Sequence, residues 1–224
     1  SLLRMSPAYW WLYGAVSFEA VRVLLARSAP VLLLPLFYDV RPLERDELRA
    51  RLMALAEKAG TPVLGVYEWR LGDRTSKANA ALVGIGKTRR ILVSDTLLVA
   101  HSDQEIETVF AHELAHHVYG DIWTGLALEV VLVTLGCYVA DYVLTTFAPS
   151  AGLAGKSDVA GFPLIALAGG AVSIVLRPLT NALSRAHERR ADRYALETTR
   201  NSSAFISAMK RLASTNLAEE RPSR

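Results

Sequence analysis

Apolar positions along the chain fall into three long runs and several short periodic ones. Tyr9 to Phe37, Ile122 to Leu144 and Gly161 to Leu176 are nearly unbroken, and the last extends through Pro178 to Leu183. A helix of about 20 such residues crosses a bilayer, so the pattern predicts about three transmembrane helices. The first run opens on Tyr9, Trp10, Trp11 and Tyr13, the composition of a membrane interface. It also contains Glu19, Arg22 and Arg27, and charges at that depth face protein or a cavity, or snorkel to an interface. Glu19 and Arg22 are three apart and placed to pair; the alternative for this run is a buried helix of a soluble domain. In the second run, Glu129 and Asp141 share one side of a helix, and that side is expected to face protein or water instead of lipid. Pro30 and Pro35 predict a kinked or terminated end, and Arg177-Pro178 predicts an exit from the bilayer or a kink within a longer helix.

Between the runs the periodicity changes. From Asp39 to Gly60, Leu48, Leu52 and Leu55 alternate with Arg45, Glu47, Arg49, Arg51, Glu57 and Lys58, which predicts a water-facing helix closed by Gly60. Pro62 to Trp69, Ala80 to Gly84 and Arg90 to Ser94 read as strands of a small sheet, the last two joined by the turn G-I-G-K-T-R-R. Ile106, Val109, Phe110, Leu114 and Val118 form a helical stripe with Asp103 as its cap. Thr145 to Ala160 reads as an external loop, and Asn201 to Leu217 as a closing amphipathic helix.

Composition narrows the class. The 224 residues suffice for one or two domains, and an apolar fraction of 51% with a mean hydropathy of +0.23 is high for a soluble protein. The net charge is only +3, and the basic residues, mostly arginine, are not interleaved with aromatic platforms, which argues against a nucleic-acid partner. The glycines near Lys87 lack the spacing of a phosphate-binding loop, which argues against nucleotide binding. Cys137, the single cysteine, lies in an apolar run and reads as a buried structural thiol. No secretory signal is evident, and the chain opens on Ser1 in sequence already running into an apolar element, which reads as a piece of a longer protein.

The chemistry concentrates between Glu105 and Tyr119, where His112, Glu113 and His116 form H-E-x-x-H. Two histidines four apart share a helix face and can ligate one zinc ion, with Glu113 beside them as general base for peptide hydrolysis. In S-R-A-H-E-R-R-A-D, Glu188 is placed to complete a two-histidine, one-glutamate zinc set, and Asp192, four further on, to support it from behind. His117 and His187 project about 100 degrees from their neighbours on an ideal helix, so they stay outside the ligand set and read as exposed. The strand from Asn79 and Ala80 onward is the candidate edge for aligning an extended peptide, although Asn79 also suits a turn. Two spans between Ile122 and Arg177 would return the chain to the side it left and bring Glu188 back to the histidines. Arg41, Arg45, Arg49, Arg51, Arg185, Arg189 and Arg190 lie on that side and few charges on the other, which favours a cytoplasmic site.

The expected architecture is a mainly α membrane protein with a small α+β, zincin-like catalytic domain. Residues 1–38 would form a transmembrane helix and flank, and 39–121 the zincin-like domain with its sheet and H-E-x-x-H helix. Two transmembrane helices would follow in 122–183, then the glutamate-ligand helix and closing helix in 184–224.

Four stretches carry a family resemblance: L-P-L-F-Y-D-V-R-P-L at 34–43, S-K-A-N-A-A-L-V-G-I-G-K-T-R-R-I-L-V-S-D-T-L-L at 76–98, H-E-L-A-H-H, and S-R-A-H-E-R-R-A-D at 184–192. Together they resemble the membrane zinc metalloproteases of the CAAX prenyl protease 1 (Ste24) family, peptidase family M48, with the HtpX proteases as relatives. The resemblance implies zinc on His112, His116 and Glu188, Glu113 as base, Asp192 behind a ligating histidine, and Asn79-Ala80 in the substrate-binding edge. It implies further spans ahead of this segment and a peptide or protein substrate, prenylated or otherwise lipid-associated, met at a bilayer. It also implies an H-P-P…R motif that follows Asn216-Leu217 in the family and that this sequence does not reach. A-N-A-A stands where the family has S-N-A-Y, which bears on prenyl specificity more than on hydrolysis. The alternatives are an HtpX-like quality-control protease and a non-catalytic membrane scaffold.

Overall fold

A computed structural model describes residues 6–28, 39–70, 79–84 and 89–218. Pro30, Pro35, the centre of the G-I-G-K-T-R-R turn and the last six residues lie outside the described residues. The chain divides into two compact units, Ser1–Ala26 with Ile122–Arg185, and Arg27–Asp121 with Ala186–Arg224.

The first unit is helical. Helix α1 is Trp10–Ser28, α5 is Asp121–Phe147, and α6 is Phe162–Thr199, preceded by a 3-10 turn at Val159–Gly161. Trp10, Ala140, Leu144 and Ala168 form a small buried cluster, and Trp11 meets Tyr138 edge-on with ring centroids 5.4 Å apart. A side chain at Gly161 would place its Cβ 3.0 Å from Leu144, so the glycine permits that approach. Trp10 Nε1 donates to Asp141 Oδ1 at 2.6 Å, and Lys156 Nζ reaches the same oxygen at 2.7 Å. Arg22 bonds Glu19 at 3.1 Å and also Glu129, so the expected helix pair exists and a third charge joins it. Thus both acidic residues of the second apolar run turn toward protein, as their shared face requires.

Asp121–Phe147 and Val159–Thr199 are long and apolar enough to cross a membrane, and almost none of either apolar stretch is buried inside the chain. Unburied apolar surface of that length fits lipid better than a soluble core, and supports membrane association. The expected count of about three spans is corrected to two among the described residues. The first helix carries Glu19, Arg22 and Arg27 within its 19 residues, and the rest of that apolar run is not described. Pro178 lies within α6, which continues to Thr199, in keeping with the longer-helix alternative.

The second unit holds a four-stranded sheet, β1 (Val40–Pro42), β2 (Val66–Trp69), β3 (Ala80–Val83) and β4 (Arg90–Ser94), in the order β1-β2-β4-β3. Among the described strands, only the β2–β4 pair is parallel. Helices α2 (Asp46–Lys58), α3 (Asp95–Ala100), α4 (Asp103–Val118) and α7 (Ser202–Ala218), with the end of α6, complete it. Leu48, Leu52, Ile91, Leu97, Ile106, Phe110 and Leu114 form its core. Each such fully buried side chain stabilises the fold by about 1.5–3 kcal/mol. Val118, expected in the stripe of α4, is exposed. The cap of α4 is Ser102 in place of the expected Asp103: its side chain accepts from Glu105 N–H while Glu105 accepts from Ser102 N–H. This reciprocal pair occupies two backbone donors, where an aspartate cap without the returning glutamate would occupy only one.

Candidate metal centre

The buried stripe of α4 anchors one face of the helix and leaves His112, Glu113 and His116 on another. His112 and His116 lie one turn apart, with ring centroids separated by 5.1 Å. Glu188, on α6, meets both: its Oε2 is 3.3 Å from His112 Nε2 and its Oε1 is 3.9 Å from His116 Nε2. One donor atom from each of the three lies within 4.8 Å of the others. Ligands bound about 2.1 Å from one tetrahedral zinc stand about 3.4 Å apart, so the spacing fits the ion. Two imidazoles and a carboxylate also form a donor set that suits it.

Both rings have a carboxylate behind them. His112 Nδ1 lies 2.9 Å from Asp192 Oδ1, and His116 Nδ1 is hydrogen-bonded to Asp121 Oδ2 at 2.8 Å. A carboxylate can only accept, so Asp121 favours the neutral His116 ring with its proton on Nδ1 and its Nε2 lone pair on the side of Glu188, whereas His112 Nδ1 lies close to Asp192 without completing a hydrogen bond. Sequence reasoning found Asp192 by its spacing and missed Asp121. Gly120 adopts φ 68, a left-handed conformation that ends α4, and α5 then opens on Asp121, directed back at the ring of His116. The one available signal was an acidic residue immediately after a glycine and a histidine helix, and it reads equally well as a polar boundary to the apolar run.

Glu113 is half-buried beside these rings. Burial pushes its carboxyl above the usual range; His112 and His116, when charged, oppose this and Glu188 adds to it. His117 and His187, the histidines beside the two motifs, are not exposed as expected. His117 is half-buried; burial and Arg89 push its imidazole below the usual value, against a hydrogen bond to the Leu82 backbone in β3. His187 has a side chain only 16% exposed and places Nε2 3.7 Å from Asp121 Oδ1. Burial against neighbouring elements, which helix spacing does not reveal, accounts for both corrections.

Asn79 and Ala80 stand at the start of β3, an edge strand of the described sheet that packs against α4. Asn79 N–H donates to the Ser94 hydroxyl at 2.9 Å, and Ser94 N–H donates to the Asn79 carbonyl at 2.9 Å. In an antiparallel pair these bonds alternate, so the backbone groups of Ala80 and Leu82 point away from β4.

A mostly helical fold with a small mixed sheet, two membrane-length helices and a clustered His-His-Glu site defines a membrane metalloprotease-like class. The chain belongs to Peptidase family M48, which it matches over residues 42–223. It is 33% identical to the uncharacterized metalloprotease YhfN of Bacillus subtilis over 225 residues, 99% of this chain and 53% of that protein. It is 27% identical over 190 residues to the probable CAAX prenyl protease 1 of Schizosaccharomyces pombe, 82% of this chain and 40% of that one. The crystal structure of S. mikatae Ste24p superimposes with a TM-score of 0.80 at 25% identity, over 94% of this chain and 54% of that chain. The chain therefore spans about half the length of the relatives it matches.

Proposed function

We propose that this chain carries the catalytic part of an integral-membrane zinc metalloendopeptidase that hydrolyses prenylated CAAX-type or other lipid-associated peptides, with its site facing the cytoplasm. The observation that carries the reading is the convergence of His112 Nε2, His116 Nε2 and the Glu188 carboxylate beside Glu113. His112, His116 and Glu188 would hold zinc. When bound, zinc supplies Lewis-acid polarisation of the scissile carbonyl and acidifies water at neutral pH. Glu113 takes the proton of the attacking water on its carboxylate and returns it to the leaving amine. Asp192, 2.9 Å from His112 Nδ1, would support that ring from behind. Asn79 and Ala80 align the peptide by pairing its backbone with the open side of β3.

Membrane-length helices support access to lipid-anchored substrates, and the arginines between Arg41 and Arg51 and between Arg185 and Arg190 support the cytoplasmic orientation. The test is cleavage of a farnesylated and an unmodified peptide of one sequence by the zinc-loaded chain in detergent. Faster cleavage of the farnesylated peptide is expected. Equal rates would remove the prenyl preference and favour a quality-control protease, and no cleavage of either would favour a scaffold.

A further inference from the structure

Asp121 is 7% exposed and divides its two oxygens between two helices. Oδ2 holds His116 Nδ1 on α4 at 2.8 Å, and Oδ1 accepts from Arg190 Nη2 on α6. The Arg190 guanidinium is itself fixed, since it lies over the Tyr119 ring at 4.3 Å, and Tyr119 meets Tyr194 edge-on at 5.9 Å. We infer that Asp121, oriented by Arg190, is the positioning residue that locks His116 in its Nδ1–H tautomer and aims its Nε2 lone pair at the metal position. This rests on the metal site proposed above.

The argument turns on which groups can accept. A guanidinium only donates, so whatever atom faces Arg190 must accept. An aspartate meets that demand and His116 together, because both of its oxygens accept. An asparagine has one acceptor. Arg190 claims it, and the amide NH2 then faces His116 Nδ1, which becomes an acceptor and leaves its proton on Nε2. A ring protonated there cannot ligate through that atom. Asp192 does not share this constraint: among the described residues no guanidinium lies within ion-pair distance of it. An asparagine at 192 is free to present its oxygen to His112 and preserve the tautomer.

The test uses the full chain in detergent. Long-range 1H–15N spectra of the metal-free protein, labelled at histidine, read the His116 tautomer, and competition with a chelator reads zinc affinity. Wild type is expected to show Nδ1–H. Asp121→Asn moves the proton to Nε2 and weakens zinc binding about 100-fold, the upper end for loss of such a partner, whereas Asp192→Asn loses no more than about tenfold. Asp121→Asn with Arg190→Leu frees the amide to turn, restores Nδ1–H and regains about tenfold in affinity. Asp121→Ala, which leaves the ring without a director, shows a mixture of tautomers and serves if the asparagine variant does not fold. Retention of Nδ1–H in Asp121→Asn, or failure of Arg190→Leu to improve it, overturns the inference. A zinc-loaded wild type that shows the expected tautomer and cleaves no peptide would instead overturn the peptidase reading and leave this one standing.

Discussion

His112 Nε2 lies 3.3 Å from Glu188 Oε2, a meeting of α4 with the carboxyl-terminal part of α6. The pairing makes Glu188 a candidate ligand that can be removed without altering either histidine. Glu188→Ala is expected to lower zinc affinity by at least about 100-fold, exceeding the loss usual for an outer partner, in a chelator competition. Glu113→Gln should bind zinc as wild type does and lose about 10²–10⁴-fold in peptide hydrolysis, the range of a general base. Hydrolysis that survives Glu113→Gln with zinc in place would remove Glu113 from its role.

In the proposed site Asp192 would act through His112 and not on the substrate. Asp192→Ala is expected to cost about 10–100-fold in zinc affinity, and saturating zinc should recover most of the activity. An unchanged affinity would show that the 2.9 Å approach to His112 Nδ1 does not matter to the metal.

How much of this was legible in the sequence depended on whether the signal was local. The spacing of His112, Glu113 and His116 on a helix needs only the helical period, and α4 forms as expected because Ile106, Phe110 and Leu114 fall on one buried face. Strand Arg90–Ser94 was found to the residue, since its buried apolar run is bounded by clear polar positions. Strand β1 was missed: it has three residues, one of them Pro42, and exists only through its pairing with β2. Asp121 and the burial of His117 and His187 were missed for the same reason, because their partners are supplied by elements distant in the chain or by a turn whose direction Gly120 sets.

The charged residues of the first helix are a second case in which tertiary partners decide. Arg22 bridges Glu19 and Glu129, so α1 is tied to α5 by a pair that would otherwise be unpaired charges in an apolar setting. In a double-mutant cycle, Arg22→Ala and Glu129→Ala are expected to couple by about 1 kcal/mol in thermal or denaturant unfolding in detergent, the scale of polar contacts between membrane helices. Purely additive effects would show that the bridge contributes nothing to holding the helices.

The capping box at the head of α4 makes a prediction independent of the metal. Ser102→Ala removes the acceptor for Glu105 N–H and the hydroxyl beside the Glu105 carboxylate, and should cost about 1 kcal/mol of stability. The metal-free protein should show that loss as a lower unfolding midpoint. Asp103→Ala, by contrast, removes exposed ion pairs with Arg45 and Arg51 and should cost at most about 1 kcal/mol.

The central claim is a single zinc site split between α4 and α6, and the most direct test locates the ion. Anomalous diffraction at the zinc edge from crystals of the zinc-loaded chain should give one peak about 2.0–2.2 Å from His112 Nε2, His116 Nε2 and a Glu188 oxygen. A zinc peak elsewhere, or bound through either Nδ1 atom, would contradict the account.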